Sequence, residues 1–529
     1  MHHNDLSVYH IYSLSLTNQP FINDYQTVTN SCEEIVKWIP HIKEMGFNAV
    51  LFSPVLKSRS HGYDVTDYYN IDNRLGTNEN FKYLVENFHK NDIKVILDCV
   101  FNHCGRDFPI FQELKNGDRS KAEWFMGVDF NRQSPMGDYF DYSTWSGYYE
   151  LVKFNLANPK VKEYLLNAAK FWVTELGADG FRLDSANVMD FDFMMALRYE
   201  MTQLKPDFWL MGEVVSGDYN RWVNNDVLHS VTGYMVYKAL FSSHNSNNLY
   251  ELENTISRAV PSQGLPLYNF LDNHDQPRIA SNVERREYLY TLYTLLFTIP
   301  GIPSVYYGSE WEMKGVKNNG SDAPLRPYID IENSPKATDI TALIRKLNQI
   351  RANYAPLRYG NYKLLFLKYH EPFAFERAYN GEKVIVAINN QDRDFTISLG
   401  NENCTDVLTN QKMNTSNIQI PAFSSRILVF GEIVNPDKII IRSEIVSPPV
   451  INVSEDGIVT VMEIKKEIEV VHEKSQGNIQ RTKRLDELET NLIKKEKQIA
   501  EREKKLQQRE DKLNSVINQL QTILEDLKN

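Results

Sequence analysis

"GFRLDSANV" spans residues 180–188 and sets Arg182 and Asp184 two positions apart inside a run that otherwise reads as a buried strand. Side chains alternate faces along a strand, so Phe181 and Leu183 point one way while Arg182 and Asp184 point the other. Charge on the inner face of a strand is costly unless it is paired or used. Seven more apolar runs accompany this one: SVYHIYS (7–13), AVLFSPV (49–55), VILDCVF (95–101), FWLMGEV (208–214), HSVTGY (229–234), YNFLDNHD (268–275) and PSVYYGSE (303–310). Helix-like segments lie among them over 33–44, 79–91, 160–176, 191–204, 249–260, 284–298 and 337–353. Eight strands interleaved with helices predict an α/β fold, a closed (β/α)8 TIM barrel, with HSVTGY its weakest stave.

The barrel is expected over residues 1–102 and 156–355. The interval 103–155, rich in Phe, Tyr, Trp, Gly and Asp, is too long for a plain connection and predicts an inserted subdomain over the barrel mouth. Short alternating runs over 356–431 (KLLFLKY, FAFERAY, EKVIVAIN, DFTISLG, SRILVFG) predict a C-terminal antiparallel β domain. Residues 432–470 read as a linker. Over 471–529, Leu485, Leu492, Ile499, Leu506, Leu513, Leu520 and Leu527 recur every seven residues. That spacing predicts a coiled-coil tail and a homo-oligomer formed through it; a lone helix held by i,i+4 ion pairs is the alternative.

The 58 basic and 69 acidic side chains leave a net charge of -11, which argues against nucleic acid as a partner. No apolar run is long enough to span a bilayer, so no membrane is expected. The opening MHHNDLSVYHIY has no basic stretch followed by an apolar one, and the four cysteines contain no CxxC pair; both features point to the cytoplasm. High aromatic content reads first as packing and second as stacking platforms.

Four apolar runs end in polar groups on what would be one rim of the barrel. These are Asp98, Asn102 and His103; Arg182 and Asp184; Glu213; and Asp272, His274 and Asp275. A lone strand-end aspartate is often only a helix cap. Three carboxylates and an arginine converging on one cavity suit chemistry on a neutral, hydroxyl-rich substrate. Two carboxylates on neighbouring strands serve as nucleophile and general acid in glycosidic cleavage with retention. Arg182 would keep Asp184 ionised, and the apolar FWLMG before Glu213 would favour its protonated form. A metal site is the rival reading, but no HxH, HExxH or EF-hand spacing occurs.

The stretches "DCVFNH" (98–103), "GFRLDSANV" (180–188), "GEV" (212–214) and "FLDNHD" (270–275) resemble, in order and spacing, the signature regions of the α-amylase family, glycoside hydrolase family 13. "GYDVTDYY" (62–69) looks like that family's tyrosine-bearing loop. "LVKFNLANPKVKEYL" (151–165) and "SDAPLRP" (321–327) are similar to motifs of its neopullulanase and cyclomaltodextrinase group. The resemblance implies a retaining hydrolase of α-1,4-glucosidic bonds in maltodextrins or cyclodextrins, acting through a covalent glycosyl-enzyme intermediate. It implies that Asp184 is the nucleophile, Glu213 the acid/base and Asp275 the carboxylate that grips sugar hydroxyls. Tyr63 would stack on the reacting sugar, His103 and His274 would donate to it, and Arg182 would orient the nucleophile. Arg278, Asp322 and Arg326 would contribute to substrate binding, and Asp98 would support Arg182. No cofactor follows from the resemblance. Calcium is not expected to be essential, because Asp129, Asp138 and Asp141 show no ligand spacing around the position of Asn102.

The sequence departs from the group at Val188, where a glutamate is usual, and at Val215-Ser216, where Trp-His is usual. Both positions border the leaving-group side, so transfer to another sugar, or trehalose formation, stands as the alternative. A non-catalytic glucan-binding scaffold is the alternative of another class.

Overall fold

The computed structural model describes residues 2–431, apart from 260–263, 265 and 334–336. The expected linker (432–470) and coiled-coil tail (471–529) lie outside the described residues.

Eight parallel strands form the central sheet: β1 (Val8–Ile11), β2 (Ala49–Phe52), β3 (Lys94–Cys99), β4 (Gly180–Leu183), β5 (Trp209–Gly212), β6 (Ser230–Val231), β7 (Tyr268–Phe270) and β8 (Ile302–Tyr306). They are bonded in the order β6-β5-β4-β3-β2-β1-β8-β7. The ring closes just past β6, where Thr232 pairs with Tyr268 and the Gly233 N–H donates to the Tyr268 carbonyl at 2.8 Å. All eight apolar runs therefore become staves, and HSVTGY is the short one, two residues long. The two faces of the strands feed two cores. Val8, Leu51, Ile96, Trp209, Met211, Phe270 and Ile302 fill the lumen. Their alternating neighbours, such as Tyr9, Val50, Leu97, Phe181 and Leu210, pack outward in a larger apolar cluster with residues of the helices.

Most expected helices form where the periodicity places them. Thr77 caps Asn78–Lys90 through a reciprocal box with Asn80, and Asn158 caps Pro159–Thr174, with Pro159 in the first turn. The segment 33–44 is two helices, Cys32–Val36 and Ile39–Glu44, because Pro40 fits a first turn but not a helix interior. A further helix, Tyr234–Asn245, follows β6 directly.

The 103–155 interval holds a three-stranded antiparallel sheet of His103–Gly105, Tyr148–Lys153 and Thr144–Trp145. Phe111, Phe125 and Phe140 are buried beneath it, with Phe111 edge-on to Phe125 at 5.1 Å, so much of its aromatic richness is core. A six-stranded antiparallel sheet follows the barrel, in the order Asn361–Leu367, Phe373–Tyr379, Glu382–Asn389, Ser424–Val429, Asn403–Asp406 and Gln411–Asn414. Among the described residues no helix is long and apolar enough to cross a membrane.

Candidate active site

Parallel register places Asp98 of β3 beside Arg182 of β4, and Arg182 beside Met211 of β5. Asp98 and Arg182 thus share the lumen face with Ile96 and Met211, which answers the puzzle of charge inside a strand. Gly180 precedes them because a side chain there would meet the Trp209 carbonyl at 2.6 Å.

Arg182 is 3% exposed and touches three carboxylates. Its Nη1 donates to both Asp98 oxygens at 2.7 Å and lies 3.4 Å from Asp184 Oδ1, while Nη2 reaches Glu213 Oε1 at 3.0 Å. Contrary to the expectation that Arg182 keeps Asp184 ionised, burial, and next the charge of Glu213, outweigh the arginine and push the Asp184 carboxyl well above the usual carboxylate range. Burial also raises Asp98, against the pull of Arg182. Both reacting-rim carboxylates are held in place by ladder bonds: the Asp184 N–H donates to the Cys99 carbonyl and the Glu213 N–H to that of Leu183.

Ser185 joins the two carboxylates directly. Its backbone is left-handed (φ 53, ψ 33), which turns the chain sharply after β4. In that conformation its N–H donates to Glu213 Oε2 at 3.0 Å and its hydroxyl to Asp184 Oδ2 at 2.9 Å. The Tyr234 hydroxyl adds a longer bond to Glu213 at 3.4 Å. Ser185 and Tyr234 were not among the expected site residues. A positive φ leaves no mark on a serine in the sequence, and Tyr234 sits on the helix that was not foreseen.

The seventh strand contributes Asp275, bonded to His274 Nε2 at 2.9 Å and to Arg326 Nη2 at 2.9 Å. Burial opposes ionisation, but His274 and Arg326 outweigh it and hold the carboxyl well below its usual range. Arg326 also bonds Asp322 at 2.9 Å and lies over the Tyr12 ring, 4.5 Å from its centroid. Tyr63 donates to Asp98 at 3.0 Å and stacks on His274, with rings 11° apart and centroids 5.6 Å apart. Its hydroxyl also meets His274 Nε2. His103 is 1% exposed; burial pushes it down to about 3, so it is a neutral imidazole, and its Nε2 has no partner.

The structure corrects the expectation for Arg278, which does not reach the cleft. It is fully buried, donating to the carbonyls of Tyr307 (2.6 Å) and Leu325 (2.9 Å) and to Ser309 Oγ (3.0 Å), with its guanidinium 4.1 Å from the Tyr306 ring centroid. Asp272 completes this brace, accepting from Ser309 Oγ and from the Ile279 N–H. Arg278 holds the loop that carries Asp322 and Arg326 through the Leu325 carbonyl, and Asp272 fixes Ser309 beside it.

Asp138 of the insertion is taken by Arg106 through two 2.8 Å bonds, and Asp129 pairs through its backbone with Asp141. Among the described residues no three His, Cys, Asp or Glu side chains gather closely enough to hold a metal ion. A cavity of about 290 Å³ opens beside Glu213, walled by Asn102, Trp145, Lys153, Val188 and Val215.

A closed barrel whose C-terminal rim presents arginine-braced carboxylates on adjacent strands is the active-site architecture of a glycoside hydrolase. Residues 21–356 match the model of the alpha-amylase catalytic domain, and the chain belongs to the α-amylase family, glycoside hydrolase family 13. It is 31% identical over 443 residues to a cyclomaltodextrinase of Thermoanaerobacter pseudethanolicus, covering 78% of this chain and 75% of that one. It is 32% identical over 375 residues to a maltogenic alpha-amylase of Bacillus acidopullulyticus, covering 68% of this chain and 63% of that one. The chain therefore spans about three quarters of the first relative and just under two thirds of the second. Among solved structures, the alpha-amylase of Geobacillus thermoleovorans complexed with acarbose aligns with a TM-score of 0.69 at 27% identity, over 82% of this chain and 99% of that one.

Proposed function

We propose that the protein is a retaining hydrolase of α-1,4 bonds in maltodextrins and cyclodextrins. The observation that supports this most directly is the double grip of Ser185 on Asp184 and Glu213, both of which also contact Arg182. Glu213 protonates the leaving oxygen while Asp184 attacks the anomeric carbon, giving a glycosyl-enzyme. Water, deprotonated by Glu213, then releases the sugar. The first step needs one proton on the carboxylate pair. Burial and the neighbouring Glu213 charge raise Asp184 in the empty site, and the mechanism requires the proton on Glu213 when the substrate is seated. Asp275, held ionised between His274 and Arg326, is placed to accept from sugar hydroxyls. Tyr63 and His103 supply a ring face and a spare imidazole nitrogen, and Asp322 with Arg326 extends the polar wall.

The relatives' names support the substrate class, and a product time course on cyclodextrin, maltotriose, pullulan and sucrose tests it. NMR should show the α-anomer as first product; early β-anomer would overturn retention. Transfer to a second sugar is favoured by one observation, the apolar Val188 and Val215 lining the cavity beside Glu213. Longer oligomers from maltotriose without a gain in reducing ends would establish it.

The same reading places the protein in the cytoplasm and assigns self-association to the heptad leucines of 471–529, on sequence alone. Removing that segment should lower the number of subunits per particle found by light scattering and leave hydrolysis nearly unchanged; the same subunit number with and without it would refute the self-association.

A further inference from the structure

A second cluster of buried charge lies at the opposite rim, where β7 and β8 begin. Arg351 and Arg377 are 2% and 1% exposed, and among the described residues neither has a carboxylate within ion-pair distance. Arg351 donates to the carbonyls of Phe297, Leu357, Gly301 and Asn4, and Arg377 to those of Thr298 and Gly360. Arg358 is paired with Asp5 at 2.5 Å, while its buried Nε has no partner. Among the described residues the carboxylate paired with this trio is Asp5, and Glu253 acts on Tyr362. Burial, followed by repulsion from Arg358 on Arg351 and from Arg351 on Arg377, pushes both buried arginines down to about 9.

Beside this cluster opens a cavity of about 490 Å³, lined by Arg358, Arg377, Tyr359, Tyr362, Asn361 and Pro300 among others. The Tyr362 hydroxyl is buried and without a partner. Pro300 precedes β8, whereas Tyr307 and Asp275 follow β8 and β7, so the cavity is on the face away from the carboxylates. Its size lies within the roughly 300–1,000 Å³ typical of small-molecule sites, and it exceeds what a bare inorganic anion needs.

We propose that this cavity binds a phosphorylated sugar, remote from the active site. Surplus buried cations favour an anion, and the guanidinium fork matches phosphate oxygens two at a time. The Arg377 nitrogens are already bonded to the carbonyls of Gly360 and Thr298, so the phosphate is placed against Arg358, whose buried Nε has no partner. Tyr359 and Pro300 offer apolar faces for the ring; the Tyr362 hydroxyl and the Asn361 amide offer bonds to its hydroxyls.

Scanning fluorimetry and calorimetry on the full chain, at constant ionic strength, test this with glucose 6-phosphate against glucose, inorganic phosphate and sulfate. The expected result is a saturable rise in Tm with glucose 6-phosphate, with affinity about tenfold or more above that of the other three. Arg358→Gln, and the cavity-filling Asn361→Trp at an exposed rim position, should each weaken it by about tenfold or more while leaving maltotriose hydrolysis without ligand unchanged. No saturable shift, equal binding of phosphate or sulfate, or a full response in Asn361→Trp would overturn the proposal.

Discussion

Arg182 and Arg351 are buried at opposite ends of one barrel, 3% and 2% exposed, and are satisfied in opposite ways. Arg182 is surrounded by Asp98, Asp184 and Glu213, whereas among the described residues Arg351 donates to backbone carbonyls alone. At the first rim three carboxylates surround one arginine, and burial raises Asp98 and Asp184, which suits a neutral substrate. At the second rim the same side chain ties ends of secondary structure together, and the uncompensated charge is positive. The residue type is shared; the partners decide whether a buried guanidinium tunes chemistry or holds chain.

The largest expected effect separates these roles outright. Asp184→Asn should lower kcat on maltotriose on the order of 10⁴-fold or more, while Arg351→Met should leave the kcat of the folded fraction unchanged. Next, Glu213→Gln should cost about 10²–10⁴-fold on maltotriose and much less on an aryl α-maltoside, whose leaving group needs little protonation. Equal losses on the two substrates would remove Glu213 from the acid role.

Stability offers a subtler division. Arg182→Met strands three buried carboxylates and should cost about 3–5 kcal/mol in chemical denaturation. Arg351→Met orphans carbonyls and should cost about 1–3 kcal/mol; the reverse order would break the comparison.

The smallest effect concerns pH. The folded-state pKa of Asp184 is raised above an unfolded value of about 3.9. Its ionisation therefore costs stability increasingly as pH rises past that value. Asp184→Asn should raise Tm near neutrality, with the gain vanishing toward about pH 4. Asp275 is shifted the other way, so its contribution is present above about pH 3.9 and lost as pH falls. Asp275→Asn should accordingly lower Tm near neutrality, and matching shifts for the two variants would refute the opposite signs.

The barrel was legible because parallel strands covered on both faces read as unbroken apolar runs, and because charge at their ends could only gather on one rim. The alternation in GFRLDSANV already puts Arg182 and Asp184 on one face, and the parallel register sets Asp98, the expected support of Arg182, directly beside it. Arg278 was misread because an arginine close after the motif offers no sign of which way its long side chain turns; burial beneath Tyr306 decided it. The helix Tyr234–Asn245 escaped because it starts without a side-chain cap immediately after a two-residue strand. The hairpin of Leu56–Ser58 and Val65–Ile71 was read only as the tyrosine-bearing loop, since its first strand is three residues long.

Ser185 carries a consequence for stereochemistry. One residue in a left-handed turn holds Asp184 with its hydroxyl and Glu213 with its amide. The gap between two carboxylates separates retaining from inverting glycosidases. Here Ser185 spans that gap, adding its two bonds to the ladder bonds that place each carboxylate on its strand. The left-handed torsion at Ser185 thus ties the spacing of the two carboxylates to a single backbone position at the end of the fourth strand.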